Sequence, residues 1–164
     1  LNNSLTGINP GFVLGDFLNE KTCTSMEYIK QLLQGKFPAA PKFSVMISHV
    51  KDIARAHVLS LANKRVGGRR LIVGSEVRSI LELSKIMAEN LPSHAKKLPK
   101  KELPNFMVKF ISYIDTSAKN LVPDLGLTMQ TDQTYAEEIL QMKFLPSETA
   151  VVDAAKSVVR LKLA

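Results

Sequence analysis

The spacing of apolar residues changes along this chain, and each change marks an element. Residues 6–13 read as a strand that runs into Asn9-Pro10-Gly11, a strong turn sequence, after which Phe12-Val13-Leu14 resumes apolar. Gly15-Asp16 then opens a polar stretch through Thr24. Met26, Ile29, Leu32 and Leu33 recur at helical spacing and predict a helix over residues 26–34, with Ser25 as its cap and Gly35 as its stop.

The alternation then repeats. Residues 43–47 form a short apolar run rich in strand formers. Asp52 suits the cap of a helix over residues 53–62, on which Ala54, His57, Val58 and Leu61 share a face. Gly67-Gly68 makes a turn, and RLIVG at residues 70–74 reads as a strand. A helix starts from Ser75 or Ser79 and runs to about residue 90, with Ile80, Leu83, Ile86 and Met87 inward. Residues 91–104 read as a proline- and lysine-rich loop. A long helix is expected over 105–122, a short strand over 127–130, an amphipathic segment over 134–142 and a last helix over 148–163.

This order predicts an α/β chain with a mostly helical tail. Residues 1–15 and 44–75 are expected to form the sheet, and residues 16–43 and 76–164 the helical part. A parallel sheet of two or three strands cannot cover itself well, so the sheet reads as truncated on its amino-terminal side.

Composition narrows the class. The 164 residues are 45% hydrophobic and 23% charged, as a globular domain requires. No apolar run reaches the roughly 20 residues of a bilayer span, and the opening LNNSLTGINPGF does not read as a signal peptide. The chain opens on Leu1, as a piece of a longer polypeptide would. The net charge of +7 raises nucleic-acid binding. Its densest cluster, Lys96, Lys97, Lys100 and Lys101, lacks interleaved aromatics and reads as a solvated loop, so neither a nucleic-acid nor a membrane partner is expected. Cys23 is the single cysteine; it excludes an intrachain disulfide and fits a reducing, cytoplasmic setting. His49 and His57 read as structural, and no Cys/His spacing suits a metal.

Several blocks, taken in order, resemble one family. INPGFVLG at residues 8–15, TSMEYIKQLLQGKFP at 24–38, SHVKDIARAHVLSL at 48–61, GRRLIVGS at 68–75, DTSAKNLVPDLG at 115–126 and DAAKSVV at 153–159 are collinear with segments of the extended short-chain dehydrogenases/reductases. The nearest group is that of dihydroflavonol, cinnamoyl-CoA and aldehyde reductases. Three departures stand out: Asp16 where the group has proline, Ser48-His49 where it has aspartate, and Lys51 where it has arginine.

The resemblance implies the carboxyl-terminal portion of a Rossmann-type NAD(P)-binding fold with a mostly helical substrate-binding subdomain. It also implies reduction of a carbonyl with NADPH, although the sequence does not separate NADPH from NADH. Pro10, Gly11, Phe12 and Val13 match the turn beneath the nicotinamide, and Ser25 matches a position near the cofactor. Phe12, Met26, Tyr28 and Ile29 are expected to face a small carbonyl substrate, although residues of this kind at helical spacing also suit a core.

Two parts that the family requires are absent from the sequence. No G-x-x-G-x-x-G or G-x-G-x-x-G occurs, and Tyr28, Tyr113 and Tyr135 are followed four residues on by Leu32, Ser117 and Ile139 rather than by lysine. No catalytic residue is therefore assigned within the chain. An amino-terminal segment of the same protein is the expected partner, and the isolated chain is expected to be inactive. A nucleotide-sugar epimerase or dehydratase and a non-catalytic binding module are the competing expectations.

Overall fold

The computed structural model describes residues 5–21, 23–111, 113, 122–127 and 129–164. The chain forms β1 (Gly7–Pro10), β2 (Phe12–Leu14), α1 (Thr24–Leu33), β3 (Ala40–Pro41), β4 (Ser44–His49), α2 (Val50–Ala62), β5 (Arg70–Val73), β6 (Val77–Ser79), α3 (Ile80–Asn90), β7 (Glu102–Leu103), α4 (Asn105–Ile111), α5 (Thr134–Leu140) and α6 (Ser147–Arg160). Short 3-10 turns stand at Lys64–Val66 and Val122–Asp124.

The strands divide among three small sheets. β1 pairs in parallel with β5, β2 and β6 flank β4, and β3 pairs with β7. Gly11 is the point at which the chain leaves the first sheet for the second. A Cβ there would stand 2.3 Å from the Met46 carbonyl oxygen, so only glycine lets the chain cross β4 this closely.

Two cores follow from this division. The larger gathers Leu14, Met26, Ile29, Leu32, Ile47, Leu83, Met87, Val151 and Val158 between β2, β4, α1, α3 and α6. The smaller joins Ala56, Leu71, Val73, Ala136, Ile139 and Leu140 between α2, β5 and α5. β5 buries Leu71 and Val73 but leaves Ile72 37% exposed, so one face of the β1–β5 pair stays uncovered.

Several sequence expectations are corrected. Ser25 lies inside α1, and Cys23 is its N-cap without a side-chain cap bond. α2 starts at Val50, capped by His49, whose Nδ1 accepts from the Lys51 amide. Asp52 instead accepts from the Leu145 amide at 2.8 Å. The face of Ala54, His57, Val58 and Leu61 is exposed: Val58 and Leu61 are 67% and 89% accessible, and the helix buries Asp52 and Ala56. Ser79, not Ser75, caps α3, in a reciprocal capping box with Glu82. β3, β6 and β7 arise in segments expected as loops, or within the helix expected from Ser75 or Ser79. The expected strand over 127–130 does not form at its described positions. The second half of the helix expected over 105–122, and most of the DTSAKNLVPDLG block, lie outside the described residues. No helix among the described residues is long and apolar enough to cross a membrane.

Candidate functional site

β1 and β2 meet at Gly11, whose amide donates to Ser48 Oγ at 2.8 Å. Ser48 is fully buried on β4, and its hydroxyl donates in turn to the Val73 carbonyl at 2.6 Å. One side chain thus ties the turn to strands of both sheets. The sequence signal for Ser48 was its departure from the family pattern.

Beyond Gly11 the chain lines a cavity of about 470 Å³, bounded by residues 11–17, residues 23–25 and Val50. Its floor is the backbone and side chains of β2. Gly15 has a φ of +130°, and a Cβ there would stand 2.8 Å from Val50 Cγ1, so glycine is required both by its conformation and by the close approach. Below it, His49 is 1% exposed. Because His49 Nδ1 accepts from an amide, the ring proton sits on Nε2, which donates to Asp153 Oδ2 at 3.3 Å.

Past Gly15, Asp16 turns toward the carboxyl-terminal helix. Its Oδ1 accepts from Ser157 Oγ and from Arg160 Nη2, the latter at 3.0 Å. The Ser157 hydroxyl, followed by Arg160, holds the Asp16 carboxyl below the usual carboxylate range despite some desolvation. Cys23 lines the opposite side, with Sγ 3.5 Å from Ser25 Oγ. Burial opposes ionisation of this thiol, but Ser25 Oγ and the amides at the start of α1 outweigh it and lower its pKa.

The expected site residues therefore separate into groups. Gly11, Phe12, Val13 and Ser25 share the cavity. Pro10, the exposed end of β1, is not among its lining residues. Met26 and Ile29, expected to face substrate, are instead 1% and 0% exposed in the larger core, because they lie on the face of α1 turned toward β4 and α6. Tyr28 is also behind the wall. Its ring meets Phe12 edge-on at 6.0 Å and Phe37 at 5.3 Å, and its buried hydroxyl has no hydrogen-bond partner. Burial raises the Tyr28 pKa well above that of an ordinary phenol. Sequence reasoning missed Asp16, Ser48, Ser157 and Arg160 as parts of the site. Among the described residues, no three His, Cys, Asp or Glu side chains gather as a metal site.

No protein-family profile matches the sequence. The chain is 30% identical over 90 residues to tetraketide alpha-pyrone reductase 2 of Arabidopsis thaliana, a match that covers 55% of this chain and 28% of that protein. It is 34% identical over 100 residues to a cinnamoyl-CoA reductase of Medicago truncatula, covering 61% and 29%. The matches thus span less than a third of either relative. Among solved structures, it resembles a yeast methylglyoxal/isovaleraldehyde reductase complexed with NADPH (TM-score 0.71, 19% identity, 96% of this chain and 44% of that one). It also resembles a nucleoside-diphosphate-sugar epimerase of Pseudomonas aeruginosa (TM-score 0.73, 16% identity, 95% and 48%). These likenesses show a Rossmann-type α/β fold, of which the chain spans less than half. The two sequence matches and the shared fold agree with the resemblance that the motif blocks carry: over part of their length, this chain is similar to the extended short-chain dehydrogenases/reductases.

Proposed function

We propose that the chain is the carboxyl-terminal part of an NADPH-dependent carbonyl reductase, and that the cavity over Gly11–Val13 is its nicotinamide-side wall. The observation that carries this reading is that Gly11, Phe12 and Val13, directly after the chain crosses β4, together line one cavity.

The residues fit the group. A nicotinamide is a flat ring with one amide substituent, and the cavity offers it an apolar surface together with backbone groups of β2. In this reading the Phe12 and Val13 amides orient the carboxamide, and Gly11 makes the close β4 crossing that brings them to the cavity. Ser25 stands at the amino terminus of α1, where amides and helix dipole favour a phosphate. NADPH, when bound, supplies a hydride to the carbonyl carbon. The chain's own residues fix which face of the ring is presented and keep water from it. Phe12 carries the substrate contact, Tyr28 supports it from behind, and Met26 and Ile29 hold α1 in place.

The proton donor and the phosphate-binding glycines belong, in this reading, to a preceding segment of the same protein. Parallel sheets are normally covered on both faces. Among the described residues β1 pairs with β5 alone, and Ile72 is exposed on the face of that pair opposite Leu71 and Val73. A further strand beside β1 and further helices over the Ile72 face would complete the sheet.

The test is NADPH oxidation by the complete protein with aliphatic and aryl aldehydes, and with UDP-sugars in parallel. Turnover of aldehydes, with none by the isolated 164 residues, is the expected result. Conversion of a UDP-sugar without NADPH consumption would favour the epimerase reading instead.

A further inference from the structure

Residues 16–21, of which Asp16 and Phe17 bound the cavity, have no regular secondary structure, and among the described residues their distant anchors come from one helix. Ser157 Oγ accepts from the Phe17 amide at 3.1 Å and donates to Asp16 Oδ1. Arg160 Nη2 donates to Asp16 Oδ1 and to the Phe17 carbonyl, each at 3.0 Å. Among the described residues, the further hydrogen bond of this stretch is local, from the Lys21 amide to Asn19 Oδ1.

The three α6 residues that hold the chain around Gly15 follow helical spacing. Asp153, Ser157 and Arg160 stand at i, i+4 and i+7 and share one face. Asp153 receives His49, against which Gly15 is seated, while Ser157 and Arg160 receive residues 16 and 17. The stripe therefore grips the chain on both sides of the Gly15 turn. An exposed ion pair such as Asp16–Arg160 is weak alone. Ser157, 1% exposed, turns it into a joint, because its hydroxyl donates once and accepts from both Phe17 N and Arg160 Nη2.

Phe17 is the side chain that this joint places on the cavity. We propose that Asp16, Ser157 and Arg160 form a clasp that fixes Phe17 and so sets the size of carbonyl compound the cavity admits. This rests on the reductase reading above. With the backbone of residues 11–13 taken by the nicotinamide, the space bounded by the Phe12 ring, Asp16, Phe17 and Val50 is left for the reacting carbonyl. The three are positioning residues: they act through Phe17 and do not touch the reacting atoms.

The experiment measures kcat/KM of the complete reductase for propanal and for 2-naphthaldehyde. Ser157→Ala and Arg160→Ala should each raise the 2-naphthaldehyde-to-propanal ratio by about tenfold, with NADPH affinity held within about twofold. Asp16→Asn keeps an accepting oxygen and should retain the parent ratio, whereas Asp16→Ala should not. An unchanged ratio in Ser157→Ala and Arg160→Ala overturns the clasp, as does a parallel loss of NADPH affinity. If the parent protein reduces neither aldehyde, the reductase reading fails, and amide exchange decides the clasp itself. Loss of Ser157 should then speed exchange of the Phe17 amide by about tenfold while α1 stays unchanged. Equal Phe17 exchange in parent and variant rules the clasp out.

Discussion

The buried hydroxyl of Ser48 accepts from the amide of Gly11 at 2.8 Å and donates a hydrogen bond to the Val73 carbonyl. A single residue on β4 thereby holds the β1–β2 crossing in register with β5. Ser48→Ala removes both bonds and leaves the Gly11 amide without that acceptor. The expected loss is about 1–3 kcal/mol, read as a lower denaturation midpoint with unchanged slope.

Two glycines of the same segment should respond differently. At Gly11 an added methyl meets the Met46 carbonyl oxygen at 2.3 Å, whereas at Gly7 its nearest neighbour is 3.4 Å away. Gly11→Ala should cost about 1–3 kcal/mol through displaced backbone. Gly7→Ala should stay within about 0.5 kcal/mol of the parent. Thermal unfolding of the two variants side by side checks the contrast.

Acid should weaken the start of α3. The Ser79 amide, followed by the Ser79 hydroxyl and Arg78, lowers the Glu82 pKa below the usual carboxylate range, against some desolvation. A carboxylate with a lowered folded pKa stabilises the fold above its unfolded pKa, and that contribution fades as pH falls through the lowered value. Glu82→Gln should thus be less stable than the parent near neutrality, and the gap should close as the solution is acidified. A gap that persists undiminished at low pH would contradict the capping-box reading. Circular dichroism across a pH series supplies the measurement.

Cys23 should be alkylated at a lower pH than an ordinary thiol, since hydrogen bonds from Ser25 and the first amides of α1 lower its pKa and the residue is exposed. As it lines the cavity, NADPH should slow its reaction with iodoacetamide in the complete protein. Peptide mass mapping reads the extent of modification.

The parts of the fold that were legible in the sequence were the ones set by local chemistry. Asn9-Pro10-Gly11 announced a turn, and the apolar spacing of α1 and α3 located their inward faces, because such signals need only neighbours three or four residues away. The strands β3 and β7 have two residues each, too short to show a period. The α2 face was misread for a different reason. Val58 and Leu61 do share a helical face, but nothing among the described residues covers it. The clasp was invisible because Asp16 and Ser157 are 141 residues apart, and Ser157 in isolation is an ordinary helical serine. Met26 and Ile29 were expected in the pocket through resemblance, and their apolar character suited the core equally well.

The claim on which the account depends is that the β1–β2 turn lies against a nicotinamide. Amide resonances of the complete protein, followed during titration with NADPH, test it most directly. The account predicts that the Gly11, Phe12, Val13 and Ser25 amides shift in a saturable way, while the Leu71 and Val73 amides of β5 move little. A protein that oxidises NADPH while those four amides stay still would contradict it.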